Sequence, residues 1–282
     1  MSAIPSVRPS AIAGTWYEAN PQTLARAVDG YLDQARLPDL PGQVIALVAP
    51  HAGHVYSGPV AGHAFAAARG LNPDLVAVVS PMHQYYNEPL LTTAHGAYLT
   101  PLGEIPLDLQ ALSDLNSRLR ESLGHGLSPV SNDQEHSLEI ELPFLQRAIK
   151  SAFHLLPVML RAQTADVAQT LGEALAETLR GRNALLVAST DLSHFYNQAT
   201  AAKLDSAILA QLAALSPEGI FDVEKSGKGE ACGIGALCAV LWAARALGAD
   251  TVRVLKHATS GDVTGDFHRV VGYAAAVILK TK

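Results

Sequence analysis

The segment Ala49-Pro50-His51-Ala52-Gly53-His54-Val55-Tyr56-Ser57-Gly58 puts two histidines, a glycine turn and a Tyr-Ser pair directly after an apolar run, 44–48. The arrangement recurs. The run 75–80 leads into Pro81-Met82-His83-Gln84, and 184–189 leads into Thr190-Asp191-Leu192-Ser193-His194. Imidazole is the usual side chain for proton transfer near neutral pH and a common metal ligand. If the three runs are parallel strands, their loops converge on one edge, where open α/β sheets bind ligands. Taken singly, a histidine after a strand is more often a surface or capping residue.

Cys232 is the fourth member. It follows Lys228-Gly229-Glu230-Ala231 at the expected start of an apolar helix, where a helix N-terminus favours the metal-binding thiolate. The plainer role for a free cysteine is that of a small buried hydrophobe, which suits Cys238 better. His51, His83 and Cys232 together offer two nitrogens and one sulfur, a set suited to iron, copper or zinc, and leave a coordination position open. His136 and Glu139 are three residues apart and on a helix would share a face. They could orient a ligand histidine, or the acidic residues could simply stabilise a first helical turn. His194 is a candidate general base, with Asp191 orienting it or a ligand histidine; alternatively Asp191 or Ser193 is a helix N-cap. Trp16, Tyr17, Tyr56 and Tyr196 are candidates for the pocket wall. The chain has no Gly-x-Ser-x-Gly elbow, no P-loop and no Gly-x-Gly-x-x-Gly fingerprint, so a nucleotide cofactor has no motif to hold it.

The elements that must position these residues alternate. Asn20-Pro21 reads as a cap and first residue of a helix with an apolar stripe at Leu24, Val28 and Leu32. Strands are expected at 44–49, 75–80, 154–160, 184–189, 251–258 and 270–279. Helices are expected from near Pro59 to Ala68, over 108–122, 163–181, 199–213 and 216–224, and from Cys232 to about Leu247. Asn132-Asp133 is expected to cap a helix that includes Glu135, His136 and Glu139, with Pro143 breaking or kinking it. The piece 88–106 reads as short strands leaving the main sheet. Short connections and no repeat or linker predict a single α/β domain over 1–282, with three αβα layers around a mixed, mainly parallel sheet.

Composition agrees. The 282 residues are 49% hydrophobic and 16% charged, which suits a globular core, and the net charge of −6 argues against a nucleic-acid surface. No apolar run is long enough to span a membrane and no signal peptide is evident. The two cysteines lie on one expected helix, too poorly oriented to bridge, so a reducing cytoplasmic setting is expected.

Several blocks resemble the Memo family, which includes AmmeMemoRadiSam system protein B. They are Ala13-Gly14-Thr15-Trp16-Tyr17, Pro50-His51-Ala52-Gly53 with Tyr56-Ser57-Gly58, Ser80-Pro81-x-His83 and Thr100-Pro101-Leu102-Gly103. Glu135-His136-Ser137-Leu138-Glu139 with Leu142-Pro143-Phe144-Leu145, Ser189-x-Asp191-Leu192-Ser193-His194, Ala231-Cys232-Gly233, Thr259-Ser260-Gly261-Asp262 and Val271-Gly272-Tyr273 continue the series in order. The resemblance implies a fold akin to the class III extradiol dioxygenases, iron or copper on His51, His83 and Cys232, and a catalytic base at His194. It also implies association with an AMMECR1-like protein and a radical-SAM enzyme, neither of which is part of this chain. Ring-cleaving dioxygenases use a carboxylate where Cys232 stands, so catechol cleavage does not follow from the fold. His54 stands where the family motif more often has tyrosine and would add a nearby imidazole.

The sequence therefore points first to a metal-dependent, dioxygenase-like oxidoreductase with a 2-His-1-Cys site holding iron(II), with copper or zinc as other occupants. Two other functions fit the same pocket: a metal-independent module capturing a peptide or small anion, and a zinc-dependent hydrolase.

Overall fold

A computed structural model describes residues 6–131 and 133–282. The chain begins with β1 (Val7–Arg8), α1 (Pro21–Gln34), β2 (Gln43–Ala49), α2 (His54–Ala66) and β3 (Leu75–Pro81). Short pieces follow: β4 (Leu90–Thr93), β5 (Ala97–Thr100), β6 (Gly103–Pro106), α3 (Leu109–Leu123), β7 (Ser128–Val130) and α4 (Leu142–Ala148). Next come β8 (His154–Leu160), α5 (Ala165–Leu179), β9 (Ala184–Ser189), β10 (His194–Tyr196), α6 (Gln198–Ala213) and α7 (Pro217–Lys225). The chain closes with α8 (Ile234–Ala246), β11 (Thr251–Thr259), α9 (Gly261–Thr264) and β12 (Val270–Lys280).

Four strands form the parallel centre of the main sheet, in the order β2-β9-β3-β8. Each is a continuous apolar run because both faces are covered, as a parallel sheet requires. Alternate residues serve opposite cores. Ala46 and Val48 of β2, Ala77 and Val79 of β3 and Leu186 and Ala188 of β9 face one core with α3, α5 and α8. Leu47, Val76, Val78, Leu185 and Val187 face the other, with α1, α2 and α4. Antiparallel strands flank the centre: β12 beside β2, carrying β10 and β11, and β4 beside β8. This is the mixed αβα arrangement that the strand and helix pattern predicts. Of the expected excursion over 88–106, β4 stays in the main sheet, and only β5 and β6 leave it, pairing antiparallel with each other while β5 pairs parallel with β1.

Asn20 caps α1, its side chain accepting from the backbone of Gln22 and Thr23. Two expected boundaries are corrected. Helix α2 starts at His54 rather than near Pro59, with Gly53 at its cap and Ser57 Oγ bonded to Ala52 O. The helix expected after Asn132-Asp133 does not form there. Asn132 lies outside the described residues, and 133–136 are irregular, followed by a 3-10 turn at Glu139–Glu141. Pro143 sits in the first turn of α4 and begins a helix instead of breaking one.

Candidate metal centre

The loops after β2 and β3 meet the irregular stretch that carries His136, and the loop after β9 joins through Asp191. Ring nitrogens of His51, His83 and His136 lie within 4.8 Å of one another. The His83 and His136 rings stack with centroids 4.6 Å apart, and His51 meets both edge-on at 5.3 and 5.5 Å. Cys232 Sγ lies 3.1 Å from His51 Nε2. The mutually close set is therefore His51, His83 and His136, with His136 as a donor in the cluster and not behind it, while Cys232 touches His51 and stands outside that set.

His51 is buried. Its backbone N–H donates to Asp191 Oδ1 at 2.8 Å and its Nδ1 meets Ser189 Oγ at 2.9 Å. The parallel register sets Ala49 beside Ser189, so the two loops leave the sheet together, and Thr190 N–H donates to Ala49 O. Cys232 joins through backbone bonds of its own. Cys232 N–H donates to Asp191 O at 3.2 Å, and Gly233 N–H donates to Thr190 Oγ1 at 3.0 Å. Gly233 must be glycine for this approach, because a Cβ there would meet the Ser189 carbonyl and the Thr190 side chain. Cys232 precedes the cap of α8 and does not open the helix. The expectation of a lowered thiol pKa is not met: desolvation pushes the thiol up, and the Asp191 charge adds to the effect.

His83 is solvent-exposed and is held by a carboxylate. Glu135 Oε1 accepts from His83 Nδ1 at 2.9 Å, and Oε2 accepts from the His83 backbone N–H at 2.6 Å. The same Oε1 accepts from the backbone of His136 and Ser137. Burial works to raise Glu135, yet the bonds from His83 and Ser137 hold it well below the ordinary carboxyl range. Burial keeps His51 far below the usual imidazole pKa and brings His136 down to about 4, so both are neutral, the ligating form. Sequence reasoning gave Glu135 no role, although its place beside His136 was visible.

Glu139 faces elsewhere. It accepts from Arg8 Nη1 at 2.6 Å, from Ser10 Oγ and from Tyr17 Oη at 2.7 Å, so it orients the N-terminal arm and not a histidine. Arg8 is buried and also pairs with Asp133, and its guanidinium lies over the Tyr98 ring. His54 turns away from the cluster, its Nε2 reaching Ile140 O at 3.1 Å among Tyr17, Tyr31 and Phe144.

Asp191 is buried and its pKa rises to about 7 through desolvation, against the backbone bonds from His51 and Ala52. His194 lies at the edge of this group, 3.7 Å from Glu230 Oε1, and burial lowers its pKa. Phe195, next in line, has φ 65°, a left-handed conformation costing about 1–2 kcal/mol. The turn breaks the β10–β12 register and presents the Phe195 ring to Arg269, 5.3 Å away. Phe195 and Arg269 line a cavity of about 470 Å³ with Trp16, Tyr56 and Tyr273. Trp16 also packs on His136 at 4.1 Å, so the cavity adjoins the histidines. Of the expected wall, Trp16 and Tyr56 line it. Tyr17 is buried on Glu139 and Ser10, and Tyr196 is exposed beside Glu230.

Fold and site define an α/β protein with a histidine-rich centre at the carboxyl ends of its parallel strands. Residues 8–277 match the family described as Memo-like protein. A MEMO1 family protein of Methanopyrus kandleri is 34% identical over 280 residues, covering 96% of this chain and 98% of the relative. One from Thermotoga neapolitana is 35% identical over 285 residues, covering 96% of this chain and 99% of the relative. The chain belongs to the Memo family. Among the described residues, no helix is long and apolar enough to cross a membrane.

Proposed function

We propose that this protein is a metal-dependent redox protein, with iron(II) or copper held by His51, His83 and Cys232 and with His136 as a further donor. The observation that carries the reading is the convergence of three imidazoles within 4.8 Å of one another with the Cys232 sulfur 3.1 Å from one of them. The donor set fits such an ion, since imidazole and thiolate together suit iron, copper and zinc. The backing also fits, because His51 and His83 each have a polar partner on Nδ1 that leaves Nε2 for the site. A bound iron or copper ion would supply a change of oxidation state and a Lewis-acid centre.

The chain's own residues supply the rest. Glu135 and Ser189 aim the rings. Asp191, with a pKa of about 7, exchanges a proton beside His51, and His194 carries protons at the rim. Trp16, Tyr56, Phe195 and Tyr273 exclude water from one side of the cavity and offer flat apolar faces to a substrate. A thiol at the centre suits a reducing compartment, which fits a cytoplasmic setting.

Metal analysis of untagged protein purified anaerobically, beside Cys232→Ser, tests the proposal. Near-stoichiometric iron or copper that falls sharply in the variant is the expected result. Zinc with no redox response would move the function to hydrolysis. No metal, and no uptake of added iron or copper, would overturn the proposal in favour of a binding module. For that second reading the specific observation is Arg269, which reaches the cavity with no ion-pair partner among the described residues and could meet a small anion or an acidic peptide.

A further inference from the structure

Ser189 Oγ stands at a three-way junction. It lies 2.7 Å from Ser137 O, 2.7 Å from Glu141 Oε1 and 2.9 Å from His51 Nδ1. A hydroxyl has one proton and two lone pairs, which restricts who donates to whom. Ser137 O can only accept, so the Ser189 proton must point to it; otherwise two bare oxygens face each other at 2.7 Å. Ser189 Oγ must then accept from both remaining neighbours. Glu141 can donate only as a carboxylic acid, and His51 can donate only with its proton on Nδ1.

We infer that Glu141 is held as a neutral carboxylic acid and acts through Ser189 as a positioning residue, fixing His51 in the Nδ1–H tautomer with a bare Nε2 aimed at the site. The surroundings agree. Glu141 is fully buried, and among the described residues its Oε2 has no partner and no arginine or lysine pairs with it, so an ionised form would be a buried charge with one hydrogen bond. Burial accordingly pushes its carboxyl well above the ordinary range, and the Asp191 charge adds to this. On the other side of the ring, the bare Nε2 accepts from the Cys232 thiol at 3.1 Å. Ser189 is thereby prevented from turning its proton onto Nδ1, an arrangement that would put a hydrogen on Nε2 and block it as a ligand. The value of a bare Nε2 rests on the metal-site proposal; the tautomer assignment does not.

The test uses the metal-free full-length protein with ¹⁵N-labelled histidine at pH 7.5, so it can succeed or fail whatever metal the protein holds. Long-range ¹H–¹⁵N correlations should show His51 protonated on Nδ1. Infrared difference spectra between wild type and Glu141→Gln should show loss of one carboxylic-acid carbonyl band, because Gln keeps a donor but has no acid. Glu141→Gln should keep the His51 tautomer, whereas Glu141→Ala should admit an Nε2–H population. An Nε2–H tautomer in wild type, or loss of a carboxylate band instead of an acid band, would overturn the inference. A Glu141→Ala spectrum identical to wild type would remove the positioning role. Should Glu141→Ala fail to fold, wild type and Glu141→Gln decide the matter alone.

Discussion

His51 and Cys232 are fastened by the sheet, whereas His83 and His136 are fastened by a loop and the N-terminal arm. On the first side, the ends of β2 and β9 share register, the backbone around Cys232 is bonded to Thr190 and Asp191, and His51 is buried. Its partner on Nδ1 is a hydroxyl. On the second side, His83 is exposed and its partner is the Glu135 carboxylate, on an irregular stretch secured by Arg8 through Asp133 and the Glu135 carbonyl. Trp16 covers His136, and Trp16 O accepts from His54 N–H. One half is preorganised by strand pairing, which is lost only with the fold. The other depends on charges and on a strap that can loosen by itself.

The largest expected effect comes from breaking the strap. Arg8→Ala leaves Asp133 and Glu139 buried without their partner, which should cost about 3–5 kcal/mol in denaturant unfolding. Metal affinity should fall with it, while the His51–Cys232 contact survives wherever the fold does. Equal loosening of both halves by hydrogen exchange would refute the division.

Acid should act on the same half. His54 falls from 6.5 to about 4 in the fold because burial disfavours its charge. Between those values the unfolded chain binds the extra proton. Its contribution to stability is therefore complete above pH 6.5 and drains away as the pH falls towards 4, by about 3 kcal/mol in all. Unfolding free energies measured from pH 7.5 to 4 should show this slope added to those of His136 and His51, and His54→Phe should lessen the total by about this amount.

Glu135→Gln should weaken metal binding about 10–100-fold in a chelator competition, since His83 then loses its carboxylate. A loss below threefold would show that the exposed histidine needs no charged partner. The smallest effect belongs to Trp16→Ala, which removes ring packing on His136 and should cost about 1 kcal/mol of stability. Quenching of Trp16 fluorescence on metal addition would report the same contact.

The division also marks what a single sequence reveals. Strands 154–160 and 184–189 were legible to the residue because each is a continuous apolar run too short for an ordinary helix and bounded by polar or turn residues. His51 and His83 followed from their place after such runs. Cys232 lies 181 residues from His51; donor chemistry alone grouped the two, with no spacing signal to join them, and the family resemblance implied the same set. The arm side was less legible. The spacing of His136 and Glu139 suggests one helix face, but Asp133 Oδ1 accepts from Glu135 N–H and Glu135 Oε1 accepts from His136 and Ser137 N–H. Such local side-chain bonds satisfy the backbone outside a helix. Arg8 meets Glu139 across 131 residues, with no local signal at either end.

The pairing of Ala49 with Ser189 has a last consequence. Side chains alternate along a strand, so a slip of β9 by one residue would turn Ser189 to the opposite face and leave the His51 ring without its hydroxyl. The centre thus proofreads the sheet: a chain assembled one residue out of step would betray itself by losing the contact between the His51 ring and the Ser189 hydroxyl.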